Sequence, residues 1–466
     1  MAVKLHFSNR NLVLGFVMFV SLLLALYTRT LPSGEIGIIG LTPIFALAIL
    51  SICGLDIVLS VVVAIILGVI MTSTTPVELG KLLAASTGSF IATVGLIIML
   101  GAGVGEVATR TGAAKQLVNF IVNKIGLSSQ RRVKLGIIIS SIVICGSLGT
   151  MAGGNAIIVA VIIPVAAAVG LTPPTVALLL MTAGSIGLFI GPFTPSTVTI
   201  LELGGLSYPQ FLIHAGLPMS LVTLLAGWFM SNKIQQWTVG KIKYDEEIVD
   251  KNKTDVDDEK RGKRSALVFF LTIVVMAFIG VIVQAGFSFA IFVMLTVATL
   301  TGLSGGLSPI NILDAMYKGC GRLVWMFLLY WLYNPVLVLV DKLSAYQALL
   351  NDVTPYLQGF SAAWLCFFVF LFNIIGHVPG AAVAQMTFTK KIFGPILLAQ
   401  GVTPEGLTAV LLASSQVDWF GPFPSSDMFG QMGLARSTSL KYMLYGGWAI
   451  VIANIVMFAI LFQIVT

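Results

Sequence analysis

Stretches of roughly 15 to 20 residues without one charged side chain, about the length that carries a helix across a bilayer core, recur along the whole chain. They include Asn11–Tyr27, Ile36–Cys53, Ile57–Met71, Gly88–Gly105, Gln210–Met230 and, further on, Leu267–Val283, Phe287–Leu303, Leu323–Val340, Ala362–Gly376 and Tyr442–Phe462. Only 10% of the 466 residues are charged, against about 25% in a water-soluble domain. The chain therefore reads as an all-α polytopic membrane protein with about 11 transmembrane helices. Leu12–Leu26 is read as a retained first span and not a cleaved leader, because further spans follow and no small-residue cleavage site stands behind it.

The remaining charge is concentrated. Asn232–Arg264 holds nine Lys/Arg and eight Asp/Glu, a composition that cannot bury itself and reads as a solvated linker. It divides the chain into a first membrane half, 1–231, a linker, 232–264, and a second half, 265–466. Lys4, Arg10 and the basic run from Arg110 to Lys134 place the N-terminus and the linker on the cytoplasmic side of the inner membrane, by the excess of positive charge on cytoplasmic loops. The uncharged C-terminal stretch is expected outside.

Shifting one half over the other reveals a repeat. At an offset of 231, Gln116 falls on Gln347, Gly149 on Gly380, Pro164 on Pro395, and Gly170-Leu-Thr-Pro173 on Gly401-Val-Thr-Pro404. After one residue drops out, Gly191-Pro-Phe193 falls on Gly421-Pro-Phe423. The first copy starts from the basic side and the second from the opposite one. Two inverted repeats with re-entrant hairpins or broken helices are the expectation, an architecture that holds a solute near the membrane midplane.

Glycine and proline interrupt each half twice: at Gly146–Asn155 and Gly191–Thr197, and at His377–Gln385 and Gly421–Asp427. Inside a bilayer such breaks are tolerated only where they line a cavity or lie in protein. A helix that starts at a break points free amides at it, which suits an anion, while hydroxyls and carbonyls suit a cation. The candidate substrate ligands are Gly153, Asn155, Thr194, Ser196, Thr197, Pro379, Gly380, Ser425 and Ser426. Ser and Thr in such helices also bond to their own backbone or join helices together, which is the alternative for each of them. Asp418, Asp427 and His377 are the candidates for the coupling ion, since an intramembrane ionisable group is costly and so a functional suspect. Lys390 and Lys391 either attract an anion or snorkel to the surface. Glu106 and Arg110 are read as an ordinary surface pair.

Cys53, Cys145, Cys320 and Cys366 stand singly and read as small buried hydrophobes, and His6, His214 and His377 do not make a metal site. No ATP-binding loop, catalytic triad or zinc motif is present in the sequence, so no enzyme, cofactor or nucleic-acid partner is expected.

The stretches "GTMAGGNAIIVAVIIP", "AGSIGLFIGPFTPST" and "VDWFGPFPSSDMFGQMGLAR" resemble the ion transporter superfamily of bacterial secondary carriers. Its members include citrate–metal, lactate, gluconate and dicarboxylate permeases and some sodium/proton antiporters. The resemblance implies a scaffold region, two re-entrant hairpins, a substrate site built from both breaks, and a homodimer. Gly153-Gly154-Asn155 stands where the citrate–metal branch has an acidic Asp-Gly-Asp-Gly stretch, and the repeated Ser-Asn-Thr of sodium-carboxylate symporters is missing. The leading expectation is a secondary transporter of a small organic anion, a carboxylate, driven by Na+ or H+. A Na+/H+ antiporter, which needs a membrane carboxylate such as Asp418 or Asp427, and an uncoupled channel are the alternatives.

Overall fold

The computed structural model describes residues 7–32, 35–125, 129–244, 256–283, 285, 288–357, 359–375, 382–420 and 423–466. The described chain is helical throughout, with short turns between helices. Among the described residues eight helices are long and apolar enough to cross a membrane, and four shorter apolar ones lie among them, Gly37–Ile52, Ile57–Thr72, Phe289–Ser304 and Ala362–Ile374. The first span, Arg10–Thr28, is mostly exposed apolar surface, whereas Pro173–Ile190 is almost wholly buried. An apolar helix exposed on most sides needs lipid around it, and one buried on all sides sits at the centre of the protein. The charged stretch is helical at both ends, because Leu217–Thr238 runs into it and Val256–Ile282 begins within it.

Ten helices build the site. In the first half these are α1 (Gln130–Leu148), α2 (Met151–Ala168), α3 (Pro173–Ile190), α4 (Pro195–Gly204) and α5 (Leu217–Thr238). In the second they are α6 (Ala362–Ile375), α7 (Ala382–Ala399), α8 (Pro404–Phe420), α9 (Ser426–Leu434) and α10 (Leu440–Val465).

α1 and α2 form a hairpin. The Gln130 amide at the start of α1 donates to the carbonyl of Val169, just past the end of α2, at 2.9 Å. The tip is Gly149, whose φ of +66° ends α1 in a left-handed turn that other residues avoid. Thr150 then caps α2 by accepting from the Gly153 amide. The hairpin tip meets the break between α3 and α4: a Cβ on Gly149 would stand 3.4 Å from Pro195. Gly187 and Gly191 of that break lie so close to α1 that a Cβ on either would strike main-chain atoms of Ile142 or Gly146. Small residues let helix backbones approach where lipid supplies no hydrophobic drive.

The punctuation of the two halves agrees. Gly170 and Gly401 adopt φ of +74° and +80°, and the amides of Leu171 and Val402 close the same six-residue turns onto Ala166 and Leu397. Pro164 and Pro395 sit inside α2 and α7. Gly205 after α4 and Arg436 after α9 are both left-handed, at φ +74° and +54°.

α5 and α10 run antiparallel. Trp237 near the end of α5 lies 6.2 Å from Tyr445 near the start of α10, and Asn454 further along α10 donates to Thr223 of α5 at 3.0 Å. The base of the first hairpin is tied to the end of α5, where Gln235 donates to the Gly170 carbonyl at 2.8 Å and accepts from the Thr172 amide. The foot of α8 is tied instead to the end of α10, through the Thr403 hydroxyl on the Val465 carbonyl. The contacts cross between halves: α4 packs on α7 and α8, and α9 packs on α2 and α3.

Candidate substrate site

Phe189 and Phe420 are the last aromatic residues before the two breaks, and their helices meet there. The Phe189 ring is 5.3 Å from that of Trp419 and 6.3 Å, edge-on, from that of Phe420. All three are fully or almost fully buried. Aromatic pairs in these geometries add to the burial of their area, so the ends of α3 and α8 are clamped together.

A half-helix starts at each break, α4 at Pro195 and α9 at Ser426. Thr194 caps α4: its hydroxyl accepts from the Thr197 amide at 3.3 Å and donates among the Leu188 and Gly191 carbonyls and Thr197 Oγ1. Ser425 caps α9 by accepting from the Met428 amide at 3.1 Å. Both are buried; Ser425 spends its hydroxyl on its own half-helix, and Thr194 also ties α4 back to the end of α3. Thr197 is fully buried in the same network. Ser196 and Ser426, by contrast, have no hydrogen-bond partner on hydroxyl or amide among the described residues, and Ser426 is exposed. Each half thus contributes one half-helix, and the positive end of its dipole favours an anion at that N-terminus.

Asn155 joins the halves. Its Oδ1 accepts from Ser141 at 2.5 Å, and its Nδ2 donates to the Leu180 carbonyl at 2.9 Å and to Gln431 Oε1 of α9 at 2.7 Å. The side chain is fully buried and saturated by protein. Gly153, two residues earlier and so on the other side of α2, is exposed. The second half has a related cluster, in which Asn373 Oδ1 accepts from Gln385 and, at 2.8 Å, from Thr389.

Asp427 stands in the first turn of α9, partly buried and close enough to Cys145 to act on it electrostatically. Its first-turn position also favours a negative charge by the helix dipole. Asp418 belongs to α8, but its side chain lies outside the described residues, as do His377, Pro379 and Gly380. Lys391 reaches Asp341 at 3.5 Å and covers the Tyr346 ring, so it turns away from the breaks. Glu106 departs from the surface pair expected of it. It is 6% exposed and gathers Arg110 at 3.1 Å, Arg322 at 2.7 Å and Lys318 at 3.7 Å. Two of those cations come from the second half, a proximity that spacing along one helix does not reveal.

A cavity of about 400 Å³ opens beside the first break, between Pro192, Phe193 and Tyr208 on one wall and Gly280 and Phe289 on the other. Glu202 also lines it, and its negative charge disfavours an anion there. Gln416 and Gln431 were not singled out from sequence. Gln416 is fully buried in α8 with neither amide atom partnered among the described residues, and Gln431 Nε2 is likewise unpartnered among them. Amides set among apolar residues of membrane helices were the available signal, since a buried polar group without a partner is rare.

Residues 11–418 match the model of the DcuC family, C4-dicarboxylate anaerobic carriers. The YdaH transporter of Alcanivorax borkumensis, described as having an unusual topology, has a similar structure: TM-score 0.56 at 15% identity, covering 87% of this chain and 97% of that one. No curated protein matches the chain. The chain belongs to the DcuC family, and it is a multi-pass transporter and not an enzyme.

Proposed function

We propose that this member of the C4-dicarboxylate carrier family moves a four-carbon dicarboxylate across the inner membrane, with one carboxylate held at each half-helix N-terminus. The observation that carries this reading is the clamp of Phe189 on Trp419 and Phe420, which joins the ends of α3 and α8, the two helices that lead into the half-helices. Ser196 and Ser426 supply the open donors; Gly153, on the exposed face of the hairpin tip, lets main chain approach the solute. Thr194, Thr197, Ser425 and Asn155 hold the frame, and Pro379 and Gly380, outside the described residues, are the substrate ligands proposed for the second half.

The two halves act as inverted repeats, 1–231 and 265–466, around this centre. The antiparallel run of α5 and α10, and the anchoring of the two hairpin bases to opposite ends of that pair, support the inversion. Rocking of one part against the other then exposes the site to each side in turn.

Asp427 supplies the coupling. A carboxylate in the first turn of α9 competes with the substrate for the same positive end, so substrate binding is favoured only when Na+ or H+ neutralises it. Asp418 and His377 are the further candidates for the same role. The transporter is thus a symporter that needs no bound cofactor, and it works as a homodimer in the inner membrane with the N-terminus and linker in the cytoplasm.

The test is uptake of labelled succinate by proteoliposomes under imposed Na+ or H+ gradients, with butyrate and citrate as competitors. Gradient-driven succinate accumulation, blocked by unlabelled succinate and not by butyrate, is the expected result. Proton movement driven by Na+ without any solute would replace this reading with an antiporter.

A further inference from the structure

A second polar pocket, of about 380 Å³, opens where the first hairpin begins. Gln130, Arg131 and Lys134 from the first turns of α1 line it, together with Trp228 and Asn232 of α5. Lys134 is 3% exposed. Its ammonium donates to Asn232 Oδ1 at 2.8 Å and to Ser231 Oγ at 3.4 Å, and stands 6.0 Å over the Trp228 ring. All three partners are neutral. Among the described residues no carboxylate pairs with Lys134 or with the exposed Arg131. A buried cation without a counter-charge is costly, and this one faces a cavity that carries a second cation at its rim.

We infer that the pocket binds the phosphate of an anionic phospholipid. Lys134 supplies the buried charge and Arg131 a planar fork suited to phosphate oxygens. Asn232, with its oxygen taken by Lys134, has only its NH2 group left to donate. A lipid is favoured over a soluble anion by the surroundings. Leu135 and Ile139 of α1 and Leu225 and Phe229 of α5 are exposed apolar side chains on the helices that line the pocket, a surface for acyl chains. Trp237 and Tyr445, paired near the same end of α5, mark the level at which aromatic side chains meet headgroups. Basic pockets between helices are the form that anionic headgroup sites take. The lipid bridges the base of the hairpin to α5 at a place separate from the substrate site.

The full-length protein in neutral detergent, heated with phosphatidylglycerol, phosphatidylcholine or inorganic phosphate, tests this. Phosphatidylglycerol is expected to raise the unfolding temperature more than phosphatidylcholine does. Arg131→Gln is expected to remove at least half of that difference, and Lys134→Gln all of it. Should Lys134→Gln not fold, the exposed Arg131 decides alone. Equal shifts from the two lipids, or an undiminished phosphatidylglycerol shift in Arg131→Gln, would overturn the site. An equal shift from inorganic phosphate would overturn its assignment to a lipid.

Discussion

Hydroxyls of the same type divide into two jobs at the breaks. Thr194 and Ser425 cap half-helices, while Ser196 and Ser426 keep donors open. Ser425→Ala should therefore cost about 1 kcal/mol of stability, the usual worth of an N-cap, along with transport. Ser426→Ala should leave the unfolding temperature unchanged and raise KM for the dicarboxylate, which parallel melting and uptake measurements separate. Asn155 and Gln431 form one unit across 276 residues of sequence. Replacing either by Leu strands a buried partner, at about 1–3 kcal/mol, but the Asn155→Leu/Gln431→Leu double variant should cost clearly less than the sum. A double-mutant cycle on melting in detergent measures that coupling. Asn155 stood out in the sequence as an amide after a glycine cluster. Its partner did not, because nothing local to Gln431 says that α9 packs against α2.

At the scale of helices, the breaks were legible because proline and glycine act on the backbone wherever they stand. The matching left-handed turns at Gly170 and Gly401 follow directly from sequence. The turn after α9 does not, since Arg436 occupies a conformation that Gly205 fills in the first half, held there by the hydrogen bonds that close the helix, from the Arg436 and Ser437 amides to the Gly433 and Met432 carbonyls. Glycines also differ by what surrounds them, and sequence does not tell which are crowded. A Cβ on Gly187 would stand 2.6 Å from the Ile142 carbonyl, a main-chain atom that cannot rotate away, whereas one on Gly15 in the first span meets nothing within 4 Å. Gly187→Ala should accordingly destabilise the protein by about 1–3 kcal/mol through overpacking. Gly15→Ala should be neutral or stabilising by up to about 1 kcal/mol through better helix propensity. In thermal unfolding of the two variants side by side, Gly187→Ala should melt lower than the parent and Gly15→Ala should not, if α1 and α3 touch as described.

For the whole molecule, the consequence that reaches furthest is the opposition of the two hairpin bases. Arg131 lies at the base of α1, near the end of α5; Gln400 lies just past the end of α7, beside the Thr403 that is tied to the end of α10. Since α5 and α10 are antiparallel along their paired length, the ends of both helices and the bases they hold fall on opposite faces of the bundle only if Trp237 shares a face with the start of α10, as its contact with Tyr445 requires. Composition alone could not decide this: charge bias orients loops, but Gln400 and its neighbours carry almost none. In a variant with its four native cysteines replaced, a cysteine at Arg131 and one at Gln400, both exposed positions, should react with a membrane-impermeant maleimide from opposite sides of the membrane. Sealed right-side-out and inverted vesicles provide the two sides, and each cysteine should label in one preparation and stay protected in the other. Labelling of both from the same side would mean parallel halves. Two half-helix N-termini could then still adjoin, but one motion could not open the site alternately to the two compartments, and gradient-driven accumulation of a dicarboxylate would need another mechanism.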